Sequence, residues 1–148
     1  MFALIGFRFA DLAVRLLPLC AARGLALALA RGAFAFGLPA RRRAIANFRR
    51  LLGDRPRVEL EARAREAFEH FGLTLVDFLR LGRLDPSQVS GEVEVRGRRH
   101  FEEARRSGRG VILLSVHAGN WEWGAAFLSA MVPRVHLAAR AHSGAGIE

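Results

Sequence analysis

The chain has 148 residues, the length of about one domain, and its 51% hydrophobic and 25% charged residues exclude a disordered or fibrous protein. All 23 basic residues are arginines, and against 14 acidic residues they give a net charge of +9, which excludes an ordinary neutral domain. The single cysteine, Cys20, excludes an internal disulfide and a zinc site built from cysteines.

The positive charge belongs to the N-terminal part of the chain. Residues 1–57 hold eleven arginines against two aspartates, a balance of +9, whereas residues 58–148 balance to zero. Because the same part is apolar, it suits a membrane surface better than nucleic acid, whose binders mix basic with polar and stacking residues. We therefore predict anionic membrane lipids as a partner and no nucleic acid. The predicted headgroup contacts form one basic run, comprising Arg41, Arg42, Arg43, Arg49 and Arg50.

Residues 2–40 are predicted to be helical, with Pro18 and Gly24 bending or dividing the helix and a glycine and a proline ending it. Residues 16–38 are the best candidate for a membrane span, but each of their two arginines would cost about 2.5–3.5 kcal/mol at mid-membrane. A helix lying in the plane of the membrane fits better, although a span remains an alternative. Residues 1–57 are thus assigned to a membrane-associating helical region, with the basic run on the cytoplasmic side.

The remainder predicts an α/β fold. Helices are expected at residues 41–52, 58–81, 98–107 and 121–131, and a loop at 85–87, from apolar periodicity and turn residues. Strands are expected at residues 92–96, 111–116 and 135–139. This strand-helix order indicates a parallel or mixed sheet. Since about 90 residues are few for such a sheet, we expect residues 58–148 to be the N-terminal, incomplete part of an α/β domain.

The sharpest chemical signal stands between the second predicted strand and the next helix. His117 is followed by Gly119, Asn120 as a candidate N-cap, and Glu122 in the first helical turn, where the helix dipole favours a carboxylate. A carboxylate that accepts a hydrogen bond from one imidazole nitrogen leaves the other free to take a proton. The pair could activate a hydroxyl or an amine. Two ligands are too few for a metal site, so we predict none.

Residues 110–122, GVILLSVHAGNWE, resemble the strand and the following H-x4-D/E block, often written HxGNWE, of the bacterial lipid A biosynthesis acyltransferases. These lauroyl and myristoyl transferases belong to the lysophospholipid acyltransferase superfamily. Weaker resemblances cover most of the chain. They lie in the apolar start and in residues 43–48, 68–77 and 93–101.

The resemblance implies a reaction. His117 would take a proton from the acceptor hydroxyl, Glu122 would pair with it, and the hydroxyl would attack an acyl thioester on acyl carrier protein, without a cofactor. Arg140 matches the arginine of the next family block and would bind substrate phosphate or help the oxyanion. Gly119, Asn120 and Trp121 join it as candidate substrate-binding residues, although Trp121 also fits a core aromatic.

Three functions remain open from the sequence. The first is acylation of a lipid A precursor, a glycolipid, at the cytoplasmic face of the bacterial inner membrane. A phosphatidylinositol mannoside acyltransferase, or another glycolipid or phospholipid acyltransferase, would share the same block. A third reading, of another class, is an inactive membrane-binding fragment.

Overall fold

The computed structural model describes residues 2–116, 118–132 and 134–136, and this part of the chain folds into α-helices and the links between them. The helices are α1 (Phe2–Leu16), α2 (Leu19–Ala35), α3 (Pro39–Leu52), α4 (Arg57–Leu81), α5 (Pro86–Glu92), α6 (Arg98–Arg106) and α7 (Trp121–Met131).

Prolines and glycines separate the first helices much as the sequence predicts. Pro18, which has no N–H to donate, stands between α1 and α2. Gly37, at a φ of +64°, turns the chain after α2, and Pro39 then starts α3. Gly24 does not divide the helix, since α2 continues through it to Ala35.

Helix α4 lies at the centre of the helical fold and packs against α1, α2, α3 and α7. Its buried face contributes Leu60, Ala64, Val76 and Leu79 to the core. Helix α2 lies antiparallel on α4, and Gly72 allows the close approach, because a Cβ at Gly72 would lie 3.1 Å from the carbonyl oxygen of Ala26. The aromatic rings of Phe34 and Phe68 close the other end of this interface edge to face, with centroids 5.5 Å apart.

The C-terminal helices begin with a capping box where a loop was predicted. The Asp85 carboxylate accepts hydrogen bonds from the backbone N–H groups of Ser87 and Gln88, and the Gln88 side chain accepts one from the Asp85 N–H. The resulting α5 packs against α7, which also contacts α4. The expected helices at residues 98–107 and 121–131 are present as α6 and α7.

The prediction of an α/β fold is wrong for the part of the chain that the structure describes, including the α/β character assigned to residues 58–148. That part contains no β-ladder: Glu92 ends α5, residues 93–95 form a link, and residues 134–136 form no strand. Residues 137–139 lie outside the described residues. Residues 111–116 are not covered on both faces as expected, since Ile112 and Leu114 are 95% and 98% exposed. A strand needs backbone partners on a neighbouring segment, and none of the described segments supplies them.

No described helix is by itself long and apolar enough to cross a membrane. Helices α2 and α3 meet the length and composition criteria only as a pair, which is bent by 86°.

Candidate active site

The segment before α7 makes a tight turn. The Ala118 N–H donates to the Val116 carbonyl oxygen at 2.8 Å, and Gly119 has a φ of +63°, a conformation that residues with a Cβ rarely adopt. Asn120 occupies the N-cap position of α7, as predicted, but its side chain makes no capping hydrogen bond. The Asn120 side chain instead forms a hydrogen bond with Asp77 of α4.

Glu122 lies half-buried in the first turn of α7, as the sequence predicts, and Trp121 is half-buried beside it. His117 and Arg140 lie outside the described residues, so their pairing with Glu122 and with substrate stays a prediction. Gly119 and Asn120, also predicted to bind substrate, lie in the turn itself.

Asp77 of α4 binds this turn through two hydrogen bonds. The Asn120 side-chain amide donates from Nδ2 to Asp77 Oδ2 at 2.9 Å, and the Trp123 indole Nε1 donates to the Asp77 backbone oxygen at 3.3 Å. The other carboxylate oxygen of Asp77 accepts from Arg23 of α2 at 2.9 Å. Asp77 therefore joins α2, α4 and the start of α7.

Sequence reasoning missed Asp77, although a signal was present. Arg23 and Arg31 interrupt the apolar α2 eight residues apart, and Glu69 and Asp77 are spaced equally on α4. Antiparallel helices bring such pairs into register, and both ion pairs form at 2.9 Å. The equal spacing of the two arginines on α2 and the two acidic residues on α4 could therefore have predicted this pairing from the sequence.

The basic run divides into one half-buried arginine, Arg41, and a group of exposed arginines on α3. The Arg41 guanidinium lies 4.6 Å from the centre of the Phe34 ring and 3.5 Å from the Glu61 carboxylate. The other four side chains are exposed and make no ion pair with a described residue. These are Arg42, Arg43, Arg49 and Arg50.

Arginine contacts also set the electrostatics of the packed helices. The hydrogen bond from Arg31 holds the pKa of the Glu69 carboxyl below its ordinary value, and the one from Arg57 does the same for Glu61. No group of three or more His, Cys, Asp or Glu among the described residues could hold a metal ion. A shallow pocket of about 220 Å³ between α1 and α4 is lined by none of the predicted site residues.

The comparisons with known proteins address the whole chain. Residues 3–145 match the family model of the bacterial lipid A biosynthesis acyltransferases. Neither the curated proteins nor the solved structures gave a match. Since the family match spans nearly the full length, the chain belongs to the bacterial lipid A biosynthesis acyltransferase family and is an acyltransferase that acts on lipid-like substrates.

Proposed function

We propose that this acyltransferase moves a fatty acyl chain from an acyl carrier protein thioester to a hydroxyl of a lipid A precursor. The observation that carries the proposal is the H-x4-E block at the start of α7, in a chain that belongs to this family. His117 is the general base and Glu122 its partner. The thioester donor and the glycolipid acceptor follow from the family resemblance.

The proposed reaction needs one proton acceptor and no covalent enzyme intermediate. The His117 imidazole takes the proton of the acceptor hydroxyl as its oxygen bonds to the thioester carbonyl carbon, giving a tetrahedral oxyanion. The C–S bond then breaks, and the imidazolium returns the proton to the departing thiolate. The Glu122 side chain stabilises the imidazolium and fixes the tautomer of the neutral ring. Arg140 would offset the negative charge of the oxyanion or of a substrate phosphate.

We also propose that the N-terminal helices lie on an anionic membrane surface, at the cytoplasmic face of the bacterial inner membrane. Exposed apolar side chains on α1 and α2 support this, with Phe9 68% and Leu29 64% exposed. The four exposed arginines of α3 fall within about 120° of its circumference at 100° per residue. Such a basic face beside exposed apolar side chains suits a lipid headgroup layer.

The general base is tested by measuring acyl transfer from an acyl carrier protein thioester to a lipid A precursor. We expect His117→Ala to lower the rate by about 10²–10⁴-fold, the usual contribution of a general base. Glu122→Gln keeps the side-chain shape but removes the charge, and it should also lower kcat. The matched control is His100→Ala, since His100 is exposed on α6 and should be dispensable.

Full transfer by His117→Ala would refute the base assignment. Transfer only to a phosphatidylinositol mannoside would move the acceptor to the related class. If the wild-type protein binds vesicles but transfers no acyl chain to any of these acceptors, it acts as a membrane-binding module instead.

A further inference from the structure

We infer that Asp77 is a positioning residue that holds residues 118–123 in place, an inference that rests on the proposed role of His117 and Glu122. These residues, which comprise the turn before α7 and the start of that helix, are called the catalytic turn. Asp77 lies on α4, more than forty residues before Glu122 in the chain, and nothing in the H-x4-E block points to it. Asp77 is identified by its hydrogen bonds with Asn120 and Trp123.

The two hydrogen bonds to Asp77 come from either side of Glu122. Asn120, two residues before it, donates to the Asp77 carboxylate, and Trp123, one residue after it, donates to the Asp77 backbone. A helix tethered at two neighbouring residues can neither rotate about its axis nor slide along α4 without breaking one of the tethers. The direction of the Glu122 side chain is thereby set by α4.

The Asp77 carboxylate also fixes which way the Asn120 amide faces. A carboxylate only accepts hydrogen bonds, so the amide must turn its nitrogen toward Asp77. Asn120 Oδ1 then points away, and it is buried without a hydrogen-bond partner among the described residues. Burial of an unpaired acceptor is unfavourable, so this oxygen is already oriented to accept a hydrogen bond from a donor of the catalytic turn.

Arg23 completes the arrangement from the opposite side. Its guanidinium binds Asp77 Oδ1 at 2.9 Å, Arg80 lies 4.0 Å from the same oxygen, and the Asp77 side chain is only 14% exposed. One carboxylate oxygen thus faces α2 and the other faces the turn. The guanidinium restricts the rotation of the Asp77 side chain, so the oxygen that binds Asn120 stays in place.

The chain supplies a matched control in the second ion pair of the same interface. Glu69 binds Arg31 at the same 2.9 Å, also joins α4 to α2, and makes no hydrogen bond to α7 among the described residues. A change at Glu69 therefore removes an equivalent α2–α4 contact and leaves the turn alone.

The experiment compares Asp77→Ala with Glu69→Ala in the full protein by three measurements. Both tryptophans of the chain lie in the first turn of α7, so intrinsic fluorescence reports on this turn. Hydrogen exchange of residues 118–123 reports on its opening. For Asp77→Ala we expect shifted tryptophan emission, faster exchange, and a kcat lower by about tenfold to a hundredfold with little change in KM. Glu69→Ala should change none of these.

Two further variants separate positioning from folding. Asp77→Glu keeps the carboxylate and should recover most of the lost kcat. Asp77→Asn keeps the volume but offers both a donor and an acceptor, so it no longer imposes one orientation on Asn120 and should lower kcat even in a fully folded protein.

The inference is overturned if Asp77→Ala and Asp77→Asn keep wild-type kcat, or if Glu69→Ala loses as much activity as Asp77→Ala. Unchanged fluorescence and exchange in Asp77→Ala would show that Asp77 does not hold the turn. If the wild-type protein transfers no acyl chain, the proposed function fails, and the fluorescence and exchange results still decide whether Asp77 holds the turn.

Discussion

At the scale of single residues, the two arginines within the apolar α2 each pair with a carboxylate of α4. Arg23 and Arg31 would be costly in an isolated apolar helix, but each meets a carboxylate of α4 at 2.9 Å. Each guanidinium forms an ion pair with the carboxylate opposite it, and the two pairs together favour one register of α2 against α4. These arginines are engaged in ion pairs between α2 and α4, whereas the exposed arginines of α3 are available to a partner.

The Glu69–Arg31 pair predicts a pH dependence of stability. The hydrogen bond from Arg31 lowers the pKa of Glu69 below its ordinary 4.5, so the folded state binds this proton more weakly than the unfolded state. The resulting stabilisation is fully present above the ordinary pKa and is lost as the pH falls through the lowered one. We expect Glu69→Gln to remove that part of the acid-dependent loss in denaturant unfolding between about pH 3 and pH 7.

Arg31→Gln provides the complementary test of this pair. It leaves the carboxyl in place but removes the donor that lowers its pKa, so it should flatten the same part of the pH profile. If Arg31→Gln kept the wild-type profile, the assignment of the pH dependence to this pair would be wrong.

At the scale of elements, helices were predictable and strands were not. The helices at residues 41–52, 58–81, 98–107 and 121–131 were anticipated within one or two residues, because a helix satisfies its backbone hydrogen bonds locally. A strand depends on a partner far away in the chain, so the apolar run at residues 111–116 could not by itself establish a sheet. In the structure this run forms neither a helix nor a strand.

Helix-capping residues explain why α5 begins where the sequence predicted a loop. Asp85 and the proline after it read as a loop, but the same residue types begin helices. Gln88, three residues after Asp85, completes the capping box that starts α5. The signal was present in the sequence and was assigned to the wrong element.

Gly72 is the element-scale determinant of the α2–α4 distance. A Cβ there would lie 3.1 Å from the Ala26 carbonyl oxygen, which belongs to the backbone and cannot rotate away. We expect Gly72→Ala to lower the free energy of unfolding, because overpacking costs about 1–3 kcal/mol and exceeds the gain of about 1 kcal/mol in helix propensity. Denaturant unfolding measures the difference.

Gly24→Ala is the control, since a Cβ at Gly24 on α2 meets nothing within 4 Å. This substitution should raise the free energy of unfolding by about 0.5–1 kcal/mol through helix propensity alone. Equal stabilisation by both substitutions would mean that α2 does not approach α4 closely at Gly72.

At the scale of the whole molecule, the candidate site draws on distant parts of the chain. The turn before α7 and the position of Glu122 in its first helical turn were predictable from the sequence, because glycine and the N-cap residue act locally, whereas the chemistry assigned to His117 and Glu122 stays a prediction. The contribution of Asp77 was not predictable, because it depends on the docking of α7 against α4. The excess of positive charge in residues 1–57 was evident from the sequence. A count of charges could not, however, distinguish Arg41, which packs on Phe34, from the exposed arginines of α3.

This separation gives a prediction for membrane binding. If the exposed face of α3 meets lipid headgroups, replacing its four unpaired arginines with glutamine should weaken binding to vesicles containing phosphatidylglycerol. At about 1 kcal/mol per arginine near an anionic surface, the apparent Kd should rise by about two to three orders of magnitude. The substitutions are at Arg42, Arg43, Arg49 and Arg50.

The matched control removes the same charge from exposed arginines that each pair with a carboxylate, namely Arg57, Arg63, Arg96 and Arg98. Because net charge falls equally in both variants, a general attraction would weaken both alike, whereas a specific face on α3 weakens only the first. Flotation with phosphatidylglycerol-containing and phosphatidylcholine vesicles at low and high salt measures this difference, and added salt should weaken the wild type toward the α3 variant. Equal losses in the two variants would contradict the assignment of the membrane surface to α3.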